Sequence, residues 1–194
     1  FQVNAAWPNE QIISFSGTSA SAPFVSGSIA ALMSQDKRLS AFQASQLLLT
    51  HSNEAGVMGP DAEFGIGTLD LGRAMLADTP DIVDPAIAST YYVPPTTGTS
   101  NGSTHVIIEN RGTSTLGNIP VEVTINSVTR QYYVNQLQAG EAKLIEIPTD
   151  HIRSSALGEL SIEAKLRPNE SIQDLRQDNN ARSLNLDLNS ELIP

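Results

Sequence analysis

Two units of different class are predicted for this chain: a helix-bearing segment first, then an all-β antiparallel sandwich. Three observations carry that prediction. Before Asp78 the sequence is rich in Ala, Ser, Gly and Leu at helical spacing. After Pro85 it falls into short runs that alternate apolar and polar. Between them, Asp78 to Pro85 holds two prolines and three aspartates, the composition of a linker. The expected division is therefore residues 1–79, a linker over 80–85 and a sandwich over 86–194.

In the first unit, Ala20 to Ser34 is the clearest helix. Phe24, Val25, Ile29, Leu32 and Met33 lie among alanines, serines and Gly27, so almost no polar face remains. A helix apolar nearly all round belongs inside a domain. Pro23 is expected in its first turn, where a missing N–H costs little. A second helix opens at Ser40, with Gln43 three residues on forming a capping box, and runs through Leu47, Leu48 and Leu49. Phe64 to Leu69 reads as a glycine-marked turn into an extended stretch. Asp70 then caps a short helix through Met75. These residues cannot cover the first helix by themselves, and a large wet apolar surface is an aggregation liability. A further segment is expected to complete the core.

The second unit is expected to hold seven strands: Ala86–Val93, Thr104–Glu109, Ile119–Asn126, Thr129–Asn135, Lys143–Pro148, Leu157–Leu166 and Ser183–Leu188. Val121, Val123 and Ile125 alternate with Glu122 and Thr124. Leu160, Ile162, Ala164 and Leu166 alternate with Ser161, Glu163 and Lys165, and Leu184 and Leu186 with Asn185 and Asp187. One buried and one wet face on about seven short strands is the pattern of a sandwich. Asn126-Ser127 between two runs suggests a tight hairpin.

Composition narrows the function. With 40% hydrophobic and 16% charged residues in 194, the chain can bury a core. A net charge of −10 argues against nucleic acid or an anionic membrane as partner. No cysteine is present, which excludes disulfides, a thiolate nucleophile and Cys-ligated zinc. No apolar run is long enough to span a membrane. The chain opens at Phe1 with no signal peptide, as expected of a processed product or of a sequence whose upstream part is missing.

The chemistry concentrates in Phe15-Ser16-Gly17-Thr18-Ser19-Ala20-Ser21-Ala22-Pro23. A serine at the start of a buried helix sits at the positive end of the helix dipole, beside unpaired backbone N–H groups. Such groups stabilise the oxyanion formed when a serine attacks a carbonyl. On spacing alone an ordinary N-cap is the preferred reading. The run Gly17-Thr18-Ser19-Ala20-Ser21-Ala22-Pro23-Phe24-Val25-Ser26-Gly27, however, resembles the nucleophile motif of subtilisin-like serine proteases nearly position for position. Phe64-Gly65-Ile66-Gly67-Thr68-Leu69-Asp70-Leu71 is similar to a segment near the end of that catalytic domain. The resemblance covers about Phe1 to Ala77 and implies an α/β fold, the C-terminal portion of a subtilisin-like domain. It implies that Ser19 is the catalytic nucleophile and that its own N–H forms half of the oxyanion hole. The family's aspartate, histidine and oxyanion asparagine all precede the serine, and nothing equivalent precedes Ser19 here; Asn4 and Asn9 lie too close to it.

His51 is expected either to cap the C-terminal end of the second helix or to be simply solvated, and not to act as base; His105 and His151 are expected at the surface. Asp174, Asp178, Asn179 and Asn180 carry oxygen ligands of the kind calcium takes, although a solvated hairpin turn is the preferred reading. No cofactor is assigned. The second unit resembles CARDB-type Ig-like domains through Asn110-Arg111-Gly112, Leu137-Gln138-Ala139-Gly140-Glu141 and Ile172 to Asn180. The resemblance implies a binding or spacing module. The expectation is thus a secreted or periplasmic, bacterial serine endopeptidase component acting on protein or peptide substrates, with the N-terminal portion of the same precursor docked as a companion chain. The alternative is an adhesion or substrate-binding sandwich beside a non-catalytic protease remnant.

Overall fold

A computed structural model of the chain describes residues 3–95, 102–149, 158–167 and 173–187. Nine strands and three α-helices are found among them, so the molecule is largely β.

The chain begins with a hairpin that the sequence reading did not anticipate. β1 (Val3–Trp7) pairs antiparallel with β2 (Gln11–Phe15) from Val3↔Phe15 to Trp7↔Gln11. Asn9 and Glu10 turn the corner with positive φ, 63° and 61°. Neither strand shows a regular apolar alternation, so only their pairing reveals them. α1 (Thr18–Gln35) follows directly and starts two residues earlier than expected. Pro23 therefore lies in the second turn and not the first. Its missing N–H leaves the Ser19 carbonyl without the usual i+4 donor.

α2 (Ala41–Thr50) has the expected capping box. Ser40 accepts from the Gln43 amide and the Gln43 side chain accepts from the Ser40 N–H. Asp70 caps α3 (Leu71–Met75) by accepting from Arg73 N–H at 2.9 Å. The three helices share a small core of Leu32, Ala44, Leu48 and Ala74, with Ile29, Met33 and Leu71 packed against it.

All seven expected strands form. β3 (Pro85–Val93), β4 (Ser103–Asn110) and β7 (Ala142–Pro148) make one sheet in the order β3-β4-β7. β5 (Leu116–Ile125), β6 (Val128–Leu137), β8 (Glu159–Leu166) and β9 (Ala181–Asp187) make the other, in the order β6-β5-β8-β9. Leu157 and Leu188, expected at strand ends, lie outside the described residues. Val121, Val123, Leu160, Ile162, Ala164 and Leu166 point into the core with Val106, Ile108 and Leu137, as the alternation requires. Asn126-Ser127 makes the tight β5–β6 turn, with Asn126 at φ 52°.

Candidate active site

Ser16 and Gly17 carry the chain from β2 into α1 with almost no spacer. Gly17 is the N-cap at φ 105°, ψ 178°, a region of the backbone map open essentially to glycine alone. That bend delivers Thr18 and Ser19 as the first two helical residues. Among the described residues no side-chain hydrogen bond caps this end and no acidic residue lies in the first turn, so none of them neutralises the positive pole of the 18-residue helix from its own first turn. Ser19 is exposed, whereas Ala20 beside it is buried and donates its N–H to the Gly17 carbonyl at 2.9 Å. The result is a solvent-facing hydroxyl on a rigid helix end rich in N–H donors.

The helix behind it is poorly covered. Of its 18 residues only Ala20, Ser28 and Leu32 are buried, while Phe24 is 51% and Val25 44% exposed. Ile12, Phe15, Phe42, Leu49, Phe64 and Ile66, all in the first unit, are exposed as well. The apolar surface that the sequence leaves without cover is thus wet in this chain.

The second motif folds as a locked turn. Asn53 and Thr68 exchange backbone hydrogen bonds, each 2.8 Å. Gly67, at φ 123°, lies so close to this bridge that a Cβ would come within 2.2 Å of the Asn53 carbonyl oxygen. Asp61 holds the loop by accepting from the N–H groups of Val57, Glu63 and Phe64. The Phe64 N–H foremost, with burial opposing and the Glu63 and Val57 N–H groups adding to it, keeps its carboxyl below the usual range.

No hydrogen bond joins Ser19 to a histidine among the described residues. His51 is the C-cap of α2, its Nδ1 2.9 Å from the Leu47 carbonyl oxygen. His105, expected at the surface, is instead tucked against Tyr91, with Nδ1 3.0 Å from the Tyr91 hydroxyl and Nε2 2.8 Å from Ser103 Oγ. Burial pushes the Tyr91 hydroxyl upward. His151 lies outside the described residues.

The acidic segment is tied into the sandwich by its own hydrogen bonds. Asn180 donates to Asp174 at 2.6 Å and Asn179 to Asp84 at 2.7 Å, while Asp178 extends toward Arg176. Burial raises the Asp84 carboxyl, with Asn179 opposing and Asp174 adding to the shift. Among the described residues no group of three or more His, Cys, Asp or Glu is placed to hold a metal ion.

A buried ionic cluster between the two units was missed by the sequence reading. Glu109 on β4 accepts from Arg73 on α3 and from Arg111, the latter at 3.0 Å. Its one signal was a carboxylate closing the apolar run Val106-Ile107-Ile108.

Comparison with known proteins divides the chain in the same sense. The subtilase family model matches residues 2–67 and the CARDB model residues 79–184. The Neisserial autotransporter lipoprotein NalP of Neisseria meningitidis is 35% identical over 75 residues, 39% of this chain and 7% of that protein. An extracellular serine protease of Serratia marcescens is 39% identical over 79 residues, 41% of this chain and 8% of that protein. The matched stretch thus spans less than a tenth of either relative. The CARDB domain of a Pyrococcus furiosus protein aligns with 55% of this chain and 84% of its own, at 18% identity and a TM-score of 0.41.

Proposed function

We propose that this chain, which belongs to the CARDB family and matches the subtilase family over residues 2–67, is the nucleophile-bearing part of a secreted bacterial serine endopeptidase. The observation that carries the reading is the geometry of Ser19: exposed, second in an uncapped helix and set by a left-handed glycine.

In this reading Ser19 Oγ attacks the carbonyl carbon of a peptide bond and passes its proton to a histidine from the upstream part of the protein. The tetrahedral oxyanion rests on the Ser19 N–H and the positive end of α1. The histidine returns the proton to the leaving amine as the C–N bond breaks, leaving an acyl group on Ser19 that water then hydrolyses. An aspartate and an oxyanion asparagine come from the same upstream part. The exposed Phe24 and Val25 support this division, because the segment that brings the base also covers α1. The two pieces then meet through a large apolar interface, like a domain core cut in two. The relatives' names, an autotransporter lipoprotein and an extracellular protease, support an exported enzyme.

A fluorophosphonate probe tests the reading. The chain is expected to label at Ser19 together with the upstream half and to stay unlabelled alone. Ser19→Ala is expected to abolish labelling and to lower turnover by a factor on the order of 10⁶ with little change in stability. Retained peptidase activity in Ser19→Ala would overturn the assignment.

A further inference from the structure

β4 is buried on both faces. Val106 and Ile108 enter the sandwich core, so by strand alternation Ile107 and Glu109 point outward. Ile107 is nonetheless 0% and Glu109 2% exposed, and neither belongs to the sandwich core cluster. At the Glu109 end, cover comes from outside the sandwich. The cover is identified by its hydrogen bonds: the Glu54 N–H donates to Glu109 Oε2 at 3.0 Å, and Arg73 reaches the other oxygen from α3.

From there the contacts run deep into the first unit. Arg73 Nη1 also donates to the Ser52 carbonyl at 3.1 Å and to Asn53 Oδ1 at 3.0 Å. Asn53 donates in turn to Asp70, the α3 cap, at 2.8 Å. A second clamp closes the far side, where Arg176 of the sandwich donates to the same Asp70 carboxylate at 2.9 Å. The three sandwich motifs meet at this end. Arg111, Gly140 and Arg176, one from each, line a junction cavity of about 320 Å³ together with Asp70 and Arg73.

We propose that the sandwich is a fitted brace for the Ser19-bearing segment and that Glu109 is the carboxylate that locks it on. The sandwich has a large core of its own. The segment has a small one, and its 52–76 stretch, closed by its own turn bonds, is tied to the sandwich through Glu54, Asp70 and Arg73. A single carboxylate neutralises two arginines whose side chains are each 7% exposed. Removing that charge leaves two buried like charges facing each other, and the seat between the units is lost.

Hydrogen exchange read by mass spectrometry on the full-length protein tests this. In Glu109→Gln, peptides covering 52–59 and 68–76 are expected to exchange about tenfold faster or more, while β5 and β8 keep their protection. Arg176→Gln, at a more exposed clamp, is expected to speed the same peptides by a smaller factor, and it carries the test if Glu109→Gln does not fold. Unchanged exchange over 52–76 would overturn the proposal. So would equal acceleration in β5 and β8, which would make Glu109 a stabiliser of the sandwich alone.

Discussion

At the scale of single residues, position 17 decides where the Ser19 hydroxyl goes. With φ 105° and ψ 178° it turns the chain into the helix, and only Ser16 stands between it and the end of the hairpin, so almost no spacer can absorb an error. Among the described residues, chain neighbours aside, no atom lies within 4 Å of the place a Cβ would take. The constraint is therefore conformational and not one of space. Gly17→Ala is expected to cost about 1–3 kcal/mol of backbone strain, relieved by shifting the start of α1. Labelling of Ser19 by a fluorophosphonate, with the upstream half present, should fall sharply while sandwich protection in hydrogen exchange stays constant. Labelling at the parent rate would show that the turn tolerates a side chain.

Among the elements, α3 is the link between the first unit and the sandwich despite its five residues. Its cap, Asp70, serves three partners: Arg73 N–H within the helix, Asn53 from the preceding loop and Arg176 from the sandwich. Burial by itself would raise the Asp70 carboxyl, yet these donors together hold it below its ordinary value. A depressed folded-state value means that the unfolded chain binds the proton first as the pH drops. The stabilisation is complete above about pH 3.9 and is lost as the pH falls through the lower folded value. Melting temperatures measured from pH 5 to pH 2.5 should therefore fall with acid. Asp70→Asn should melt lower at pH 5 and show a shallower acid slope, since its share of the titration is gone. An unchanged slope would assign the acid sensitivity to other carboxylates.

For the whole molecule, the two units are unequal in what they can do alone. Among the described residues the sandwich core holds 14 buried apolar residues from both sheets, whereas the helical core holds four. A fragment from Asp81 onward is expected to melt cooperatively by circular dichroism. It should also bind a hydrophobic dye, because the β4 face carrying Ile107 loses its cover. A fragment unfolded at neutral pH would show that the sandwich depends on the first unit for its fold.

Much of this is legible in the sequence, and for a common reason. The alternation of Val121, Val123 and Leu160 to Leu166, the Ser40–Gln43 capping box, the Asp70 cap and the run around Ser19 are all short-range patterns. Backbone geometry alone fixes which neighbours share a face or reach an N–H. The β1–β2 hairpin, the seat of His105 on Tyr91 and the Arg73–Glu109–Arg111 cluster were not legible. Each joins groups whose relation depends on how strands pair or units dock, and Arg73 and Glu109 stand 36 positions apart. The sequence by itself determined two unlike units, a serine at a helix start and an apolar helix in need of cover. Only the tertiary structure decided that a carboxylate ending an apolar strand faces away from its own core, because burial on the second face of β4 comes from residues outside the sandwich.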